Sequence, residues 1–493
     1  MYTYKGLWTW ELGDFEVIEH KNQFHVFHLC LENHDVVGHI VSDDGLTWRE
    51  LPNAIYTGHP GECDDDHIWT MGVFKKGDTF FMLYTAKKRS ERGNYERTAL
   101  ATSKDLIHWT KYEGNPVAQA DPRWYDADTK TVGKAHWRDA HIIEDGGVFH
   151  ALIAAREKGA PINYGGCPGH FVSRDGYRWK VQAPLFRPRV SYDYEVPSIF
   201  RFEGRYYVVA LPGAGTPIRS HYRVADRLEG PWRRLHDDRL LPDCNHAFRP
   251  CHWRGKTYLF HWTRKPMDWL DGSRGCCALP APKEVVGNGD GTIYLRSFDG
   301  WLKRAKGRPR TITPRDLAKS KLGSWGKWSV QSDRLDGFAE MGTAIRLAPG
   351  EFDDFILDVT IEPLDAIEVG VMFRADDAGD RSTSIQIQYH THYGRAVLQK
   401  HIHNVRPSPW CIWRGRTEVQ SEYFPVPKNR PIHVHIVVNG PYVEASLNDR
   451  VVLCDLTMTR RSGHVGVFVV DGRARFSDLR VQPIRPPHTD FGM

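Results

Sequence analysis

The chain has 493 residues, 41% of them apolar, and a net charge of +5 spread over interspersed Lys, Arg, Asp and Glu. That length suits two or three domains with filled cores, and the charge pattern excludes the electrostatic footprint of a nucleic-acid binder. No apolar run is long enough to cross a bilayer as a helix, so no membrane partner is expected.

The N-terminus, Met1-Tyr2-Thr3-Tyr4-Lys5, has no signal-peptide h-region. The nine cysteines are scattered, with only Cys276 and Cys277 adjacent and no Cys-x-x-Cys. Neither a disulfide framework nor a structural zinc site is indicated, and the expected compartment is a reducing cytoplasm.

In chain order, the dominant feature is a repeated hairpin: a strand, a short Gly, Asn or charged turn, then an aromatic-rich strand. It occurs at Glu19–His28, Phe74–Tyr84, Glu144–Leu152, Phe202–Val209 and Trp253–His261. A second element follows each of the first four copies. It is a strand ending in Ser-x-Asp-(Gly/Leu)-x-x-Trp, at Ser42 to Trp48, Ser103 to Trp109 and Ser173 to Trp179, with a weaker form ending at Trp232. The Ser/Asp cluster makes a tight turn, and the Trp is expected to pack between neighbouring sheets. The period of roughly 50 to 70 residues suits four strands with generous loops, and five copies predict a five-bladed β-propeller over residues 1–305.

Strands near Ala278–Glu284 and Thr292–Arg296 finish that domain. A basic stretch follows, with a short helix expected at Pro314–Lys319, and 306–325 reads as a linker. From 326 to 493 the pattern becomes short alternating strands, among them 355–361, 367–373, 385–389, 432–438 and 465–470, which predicts a β-sandwich. The fold class is therefore all-β.

First strands of propeller blades line the central channel. Just before the hairpins lie Asp14, Asp139 and Glu195, each about ten or eleven residues ahead of the hairpin aromatic. The second and fifth copies carry Trp69-Thr-Met71 and Ala247-Phe248 there instead. Solvated strand ends or ion pairs would explain one such acid, and Asp139 beside Arg138 could form a pair. Three acids at matched places in a repeat point instead to one cleft, where like charges raise at least one pKa and create a general acid. A glycosidase needs that acid, a carboxylate nucleophile or base, and groups that bind sugar hydroxyls.

The segment Gly38-His-Ile-Val-Ser-Asp-Asp-Gly-Leu-Thr-Trp-Arg-Glu-Leu-Pro52, the Arg138-Asp139 pair, Glu195 with Pro197, and Ala278–Glu284 together resemble glycoside hydrolase family 32, the invertase and fructanase family. The resemblance runs over most of residues 5 to 300 and, more loosely, the sandwich. It implies a five-bladed propeller followed by a β-sandwich, and a retaining mechanism. Asp14 is then the nucleophile, Glu195 the acid and then base, Asp139 the transition-state stabiliser, and Arg138 holds Asp139 or a sugar hydroxyl. In that reading the Asp14 and Glu195 carboxyls stand about 5–5.5 Å apart, against about 6.5–9.5 Å for an inverter. The family's Trp-Met-Asn-Asp-Pro-Asn-Gly is replaced here by Trp10-Glu-Leu-Gly-Asp-Phe-Glu16. Arg-Asp-Pro becomes Arg-Asp-Ala, and Glu-Cys-Pro becomes Glu-Val-Pro. The acids are kept while their neighbours change, so a furanoside other than fructose and fructosyl transfer both stay open.

Of the 25 His, positions 39, 67, 136, 141 and 246 fall near the expected funnel. None has the His-x-x-x-His spacing of a helical zinc site, so they are read as sugar contacts or packing, with no metal and no cofactor. Substrate contacts are expected from Arg138, Trp69, His39, His141, Trp10 and His246, and the partner is an oligo- or polysaccharide. The rival readings are an inverting family 43-like arabinofuranosidase or xylosidase, in which Asp14 acts as a base, and a non-catalytic carbohydrate-binding propeller.

Overall fold

The computed structural model describes residues 11–31, 33–213, 219–264, 277–323, 325–390, 393–401, 416–424, 428–457 and 460–486. The chain divides into two compact units, Met1–Tyr294 and Leu295–Met493.

The first unit is built from antiparallel sheets that begin with the repeated hairpins. Strands β1 (Glu11–His20), β2 (Gln23–Leu31), β3 (Val36–Ser42) and β4 (Arg49–Tyr56) form one sheet. A second contains β5 (His67–Lys76), β6 (Thr79–Lys87), β7 (Glu96–Ser103), β8 (Trp109–Lys111) and β9 (Ala118–Gln119). The third is β10 (Trp137–Asp145), β11 (Val148–Arg156), β12 (Gly166–Ser173) and β13 (Lys180–Gln182); the fourth is β14 (Tyr194–Phe202), β15 (Arg205–Pro212) and β16 (His221–Ala225).

Pairing isolates four propeller-like blades, where the repeat predicts five. The fifth hairpin, β17 (Asn245–Trp253) with β18 (Lys256–Arg264), is present, and β19 (Cys277–Ala278) and β20 (Lys283–Gly287) pair with β18. It does not stand as a sheet of its own, because its pairing order runs on through β20 into β21 (Ile293–Arg296), where the chain leaves the first unit. The first strands nevertheless pack side by side in the order β1, β5, β10, β14, β17 and back to β1.

Local chemistry explains the repeat. Four of the hairpins turn on two residues that both have positive φ: Lys21-Asn22, Gly146-Gly147, Glu203-Gly204 and Arg254-Gly255. Such turns match the right-handed twist of the flanking strands. In the second element, the Ser42 hydroxyl accepts from the Gly45 amide at 2.9 Å and Asp44 accepts from Thr47 N at 2.7 Å. The same bonds recur at Ser103/Asp105 and Ser173/Asp175. The closing Trp packs across to the preceding blade as expected: Trp109 meets Phe27 edge-on at 5.4 Å, and Trp179 meets Phe74 at 6.0 Å.

In the second unit, helix α1 (Pro314–Lys319) forms where the sequence predicts it, started by a reciprocal capping box between Thr313 and Asp316. The strand at 463–483 pairs in its first half with 368–375 and in its second half with 355–363. Each partner continues into its own series, 382–390 onward and 432–439 onward. Apolar residues from both series, including Phe355, Val359, Val371, Ile385, Leu398, Ile436 and Val443, share one buried cluster, which is a sandwich core.

Candidate active site

Every first strand of the first unit slips register at the same level. The slips fall between Leu12 and Phe15, Trp69 and Met71, Arg138 and His141, Glu195 and Ser198, and His246 and Arg249. Bulges of this kind bend a strand and re-aim its side chains. Asp14 is the second residue of its slip, Asp139 the first of its own, and Glu195 the last paired residue before one. The acids therefore stand one residue out of step with each other, rather than at strictly matched positions. Asp139, with φ 71°, and Val196, with φ 47°, occupy left-handed backbone that non-glycine residues enter only at a cost.

The three carboxylates meet. The Asp14 charge acts on both Asp139 and Glu195. Burial pushes the Asp139 carboxyl up to about 7; Arg138 opposes this, and the Asp14 and Glu195 charges add to it. Burial also raises Glu195, again against Arg138 and with Asp193 and Asp14 adding to the effect. Asp139 Oδ2 accepts from Val196 N at 3.2 Å, while its buried Oδ1 has no hydrogen-bond partner among the described residues. Asp14 is fixed by one neutral donor on each oxygen: Thr70 Oγ1 at 2.8 Å and Trp262 Nε1 at 2.9 Å.

Arg138 is buried at the centre of the acids. Its Nη2 donates to Glu195 Oε1 at 2.6 Å and to Asp193 Oδ2; its Nη1 donates to His136 Nδ1 at 2.7 Å; its Nε lies 3.5 Å from Asp139 Oδ2. Behind it, the buried Glu96 accepts from Trp137 N at 2.9 Å and from Arg138 Nη1 at 3.5 Å.

The other expected contacts divide. His246 stacks on Trp262 at 4.1 Å, one ring away from Asp14. Trp69 is at the site, but it is no stacking platform: His34 lies parallel on it at 4.6 Å and Lys87 Nζ stands 3.6 Å over its ring. Its buried Nε1–H has no partner among the described residues. His141 accepts from Ile199 N at 3.2 Å and faces Glu16 at 4.0 Å, so packing rather than the acids claims it. His39 is likewise drawn away, bonded to His25 at 3.0 Å and stacked on Phe27 at 4.2 Å. Trp10 lies outside the described residues. Thr70, Glu96, Asp193 and Trp262 were not singled out from sequence. Thr70 sits in the Trp69-Thr-Met71 segment and Asp193 two residues before Glu195, so position relative to the repeat was their available signal.

Residues 16–225 match the family model described as "Glycosyl hydrolases family 32 N-terminal domain". The first unit is a family 32 domain. Asp14 lies two residues ahead of the matched segment of this family 32 domain. A curated relative, the bifunctional 6(G)-fructosyltransferase/2,1-fructan:2,1-fructan 1-fructosyltransferase of Allium cepa, is 28% identical over 109 residues. That stretch is 19% of this chain and only 18% of the relative's own length. Among solved structures, sucrose-6-phosphate hydrolase from Lactobacillus gasseri superposes with a TM-score of 0.72 at 14% identity, covering 97% of this chain and 91% of that one. Fructan 1-exohydrolase IIa from Cichorium intybus superposes with a TM-score of 0.71 at 14% identity, covering 98% and 97%. At such identities the superpositions establish shared fold across the chain.

Proposed function

We propose that this chain is a retaining glycoside hydrolase of β-fructofuranosides, acting on fructose-containing oligo- or polysaccharides. The observation that carries the reading is the meeting of Asp139 and Glu195 on Arg138, both raised and both within reach of the Asp14 charge. A glycosidase needs one carboxyl that keeps its proton and one carboxylate oriented to attack. Glu195, half-buried and raised, serves as the acid that protonates the leaving oxygen and then as the base that activates water. Asp14, oriented by Thr70 and Trp262, attacks the anomeric carbon to give a glycosyl-enzyme. The unpartnered Oδ1 of Asp139 accepts from a sugar hydroxyl and steadies the oxocarbenium-like transition state. Arg138 keeps Glu195 and Asp139 in place. In this reading β17–β20 complete the channel as a fifth blade, a role supported by the packing of β17 between β14 and β1. The match to a fructosyltransferase favours a second outcome for the same intermediate, capture by a sugar hydroxyl instead of water.

The test is activity of wild type, Asp14→Asn and Glu195→Gln on sucrose, inulin, levan and aryl furanosides, including arabinofuranosides, with product configuration read by NMR. Fructose should be released with retained configuration, lost in Asp14→Asn and reduced ~10²–10⁴-fold in Glu195→Gln. Inverted product, or wild-type cleavage of arabinofuranosides alone, would refute the reading.

A further inference from the structure

Glu96 is not on a first strand and cannot reach a sugar, yet its fully buried side chain gathers three cations. Oε1 lies 2.5 Å from Lys134 Nζ and 3.6 Å from Lys87 Nζ, and Oε2 lies 3.5 Å from Arg138 Nη1. Taking charges out of water is costly, and a purely structural contact at this place is served as well by apolar packing. We propose that Glu96 is a positioning residue, holding Arg138 where its guanidinium sets the protonation of Glu195. The proposal rests on the reading of Glu195 as the acid.

The geometry is a tug on one guanidinium from two sides. On one side Nη1 is held by Glu96 and by His136; on the other Nη2 is shared by Asp193 and Glu195. Burial pushes the His136 pKa down to about 4, so its ring is neutral. Its Nδ1 accepts from Arg138, which leaves Nε2–H to donate to the Tyr192 hydroxyl at 3.2 Å. His136 therefore supplies direction without charge, and Glu96 supplies the counter-charge. Burial alone would push Glu96 up, but Arg138, Lys134 and Lys87 hold it down to about 2, so that charge persists throughout the working range. The remaining charges facing Glu195 are those of Asp193 just ahead of its own strand, Asp139 on β10 and Asp14 on β1. With the Glu96 charge gone, the field of Arg138 falls more fully on Asp193, Asp139 and Glu195, and the Glu195 proton leaves at lower pH. Removing Lys134 instead leaves Glu96 less neutralised, draws Arg138 back, and moves Glu195 the other way.

Titration of the Glu195 carboxyl by infrared spectroscopy, with carboxyl-labelled glutamate and the Glu195→Gln spectrum subtracted, reads this directly and needs no substrate. Glu96→Gln should lower the Glu195 midpoint by about one pH unit, and Lys134→Met should raise it. The double variant Glu96→Gln/Lys134→Met should fall between them. On a cleaved fructoside the basic limb of the pH profile should move with the midpoint while KM stays put. An unchanged midpoint in Glu96→Gln overturns the proposal; if that variant does not fold, a Lys134→Met midpoint that stays or falls does so. A wild type inactive on every fructoside refutes the functional reading alone, because the infrared midpoints still decide the role of Glu96.

Discussion

Glu16 provides a sharp test of the electrostatics at the heart of the first unit. It is 2% exposed on β1, accepts from Val17 N at 2.8 Å, and lies 3.8 Å from Arg249 Nε, while its Oε2 has no hydrogen-bond partner among the described residues. Burial raises its pKa from 4.5 to about 7 despite the Arg249 charge. Between those values the folded chain keeps a proton that the unfolded chain has released, so stability falls as pH rises through this window and levels off above it. At ~1.4 kcal/mol per pH unit, the loss across the window is ~3 kcal/mol. Glu16→Gln is an uncharged isostere that does not titrate. Urea unfolding of both proteins from pH 4.5 to 8 should show the variant gaining ~3 kcal/mol on the wild type across the series. A difference that stays flat, or that moves against the variant as pH rises, would refute the assignment of a protonated carboxyl.

Two more outcomes are expected. Arg249 is wholly buried and donates to Phe15 O at 3.0 Å and Ser198 Oγ at 2.8 Å, with Met71 O and Ala140 O at 3.5 Å, tying together all four other first strands. Arg249→Met should cost ~3–5 kcal/mol in chemical denaturation, and a loss indistinguishable from a surface change would show that the strands hold without it. Trp262→Phe keeps a ring under His246 but removes the donor to Asp14, and Thr70→Val removes the other. Each should lower kcat/KM ~10–100-fold, the worth of a hydrogen bond to a charged group, with thermal unfolding as the control for folding.

Much of the architecture was legible because it repeats. Turn pairs such as Gly146-Gly147 and the Ser-x-Asp clusters act over a few residues, so their conformations follow from local chemistry. The short helix at Pro314–Lys319 and the alternating strands of the sandwich belong to the same class. The grouping of the acids was legible for the same reason, from their similar places in a repeated unit, although the bulges set them one residue out of step.

What neighbours those acids acquired was a matter of three dimensions. Glu96 and Arg138 are separated by 42 residues, and Trp262 and Asp14 by 248, and nothing local marks either pair. The fates of Trp69, His39 and His141 turned on which ring or amide packs against them: an imidazole between sheets satisfies itself with whatever donor the fold supplies. The fifth hairpin shows the same division. Its turn and strands follow from its own residues, but whether it closes a sheet alone depends on where the chain goes next. Sequence by itself determined the repeated hairpins, their turns and the three acids, because those depend on near neighbours and on periodicity. Only the tertiary structure decided the bulge offsets, the charges around Arg138 and the donors on Asp14, because burial and long-range packing set which groups share a dielectric and which pKa values move.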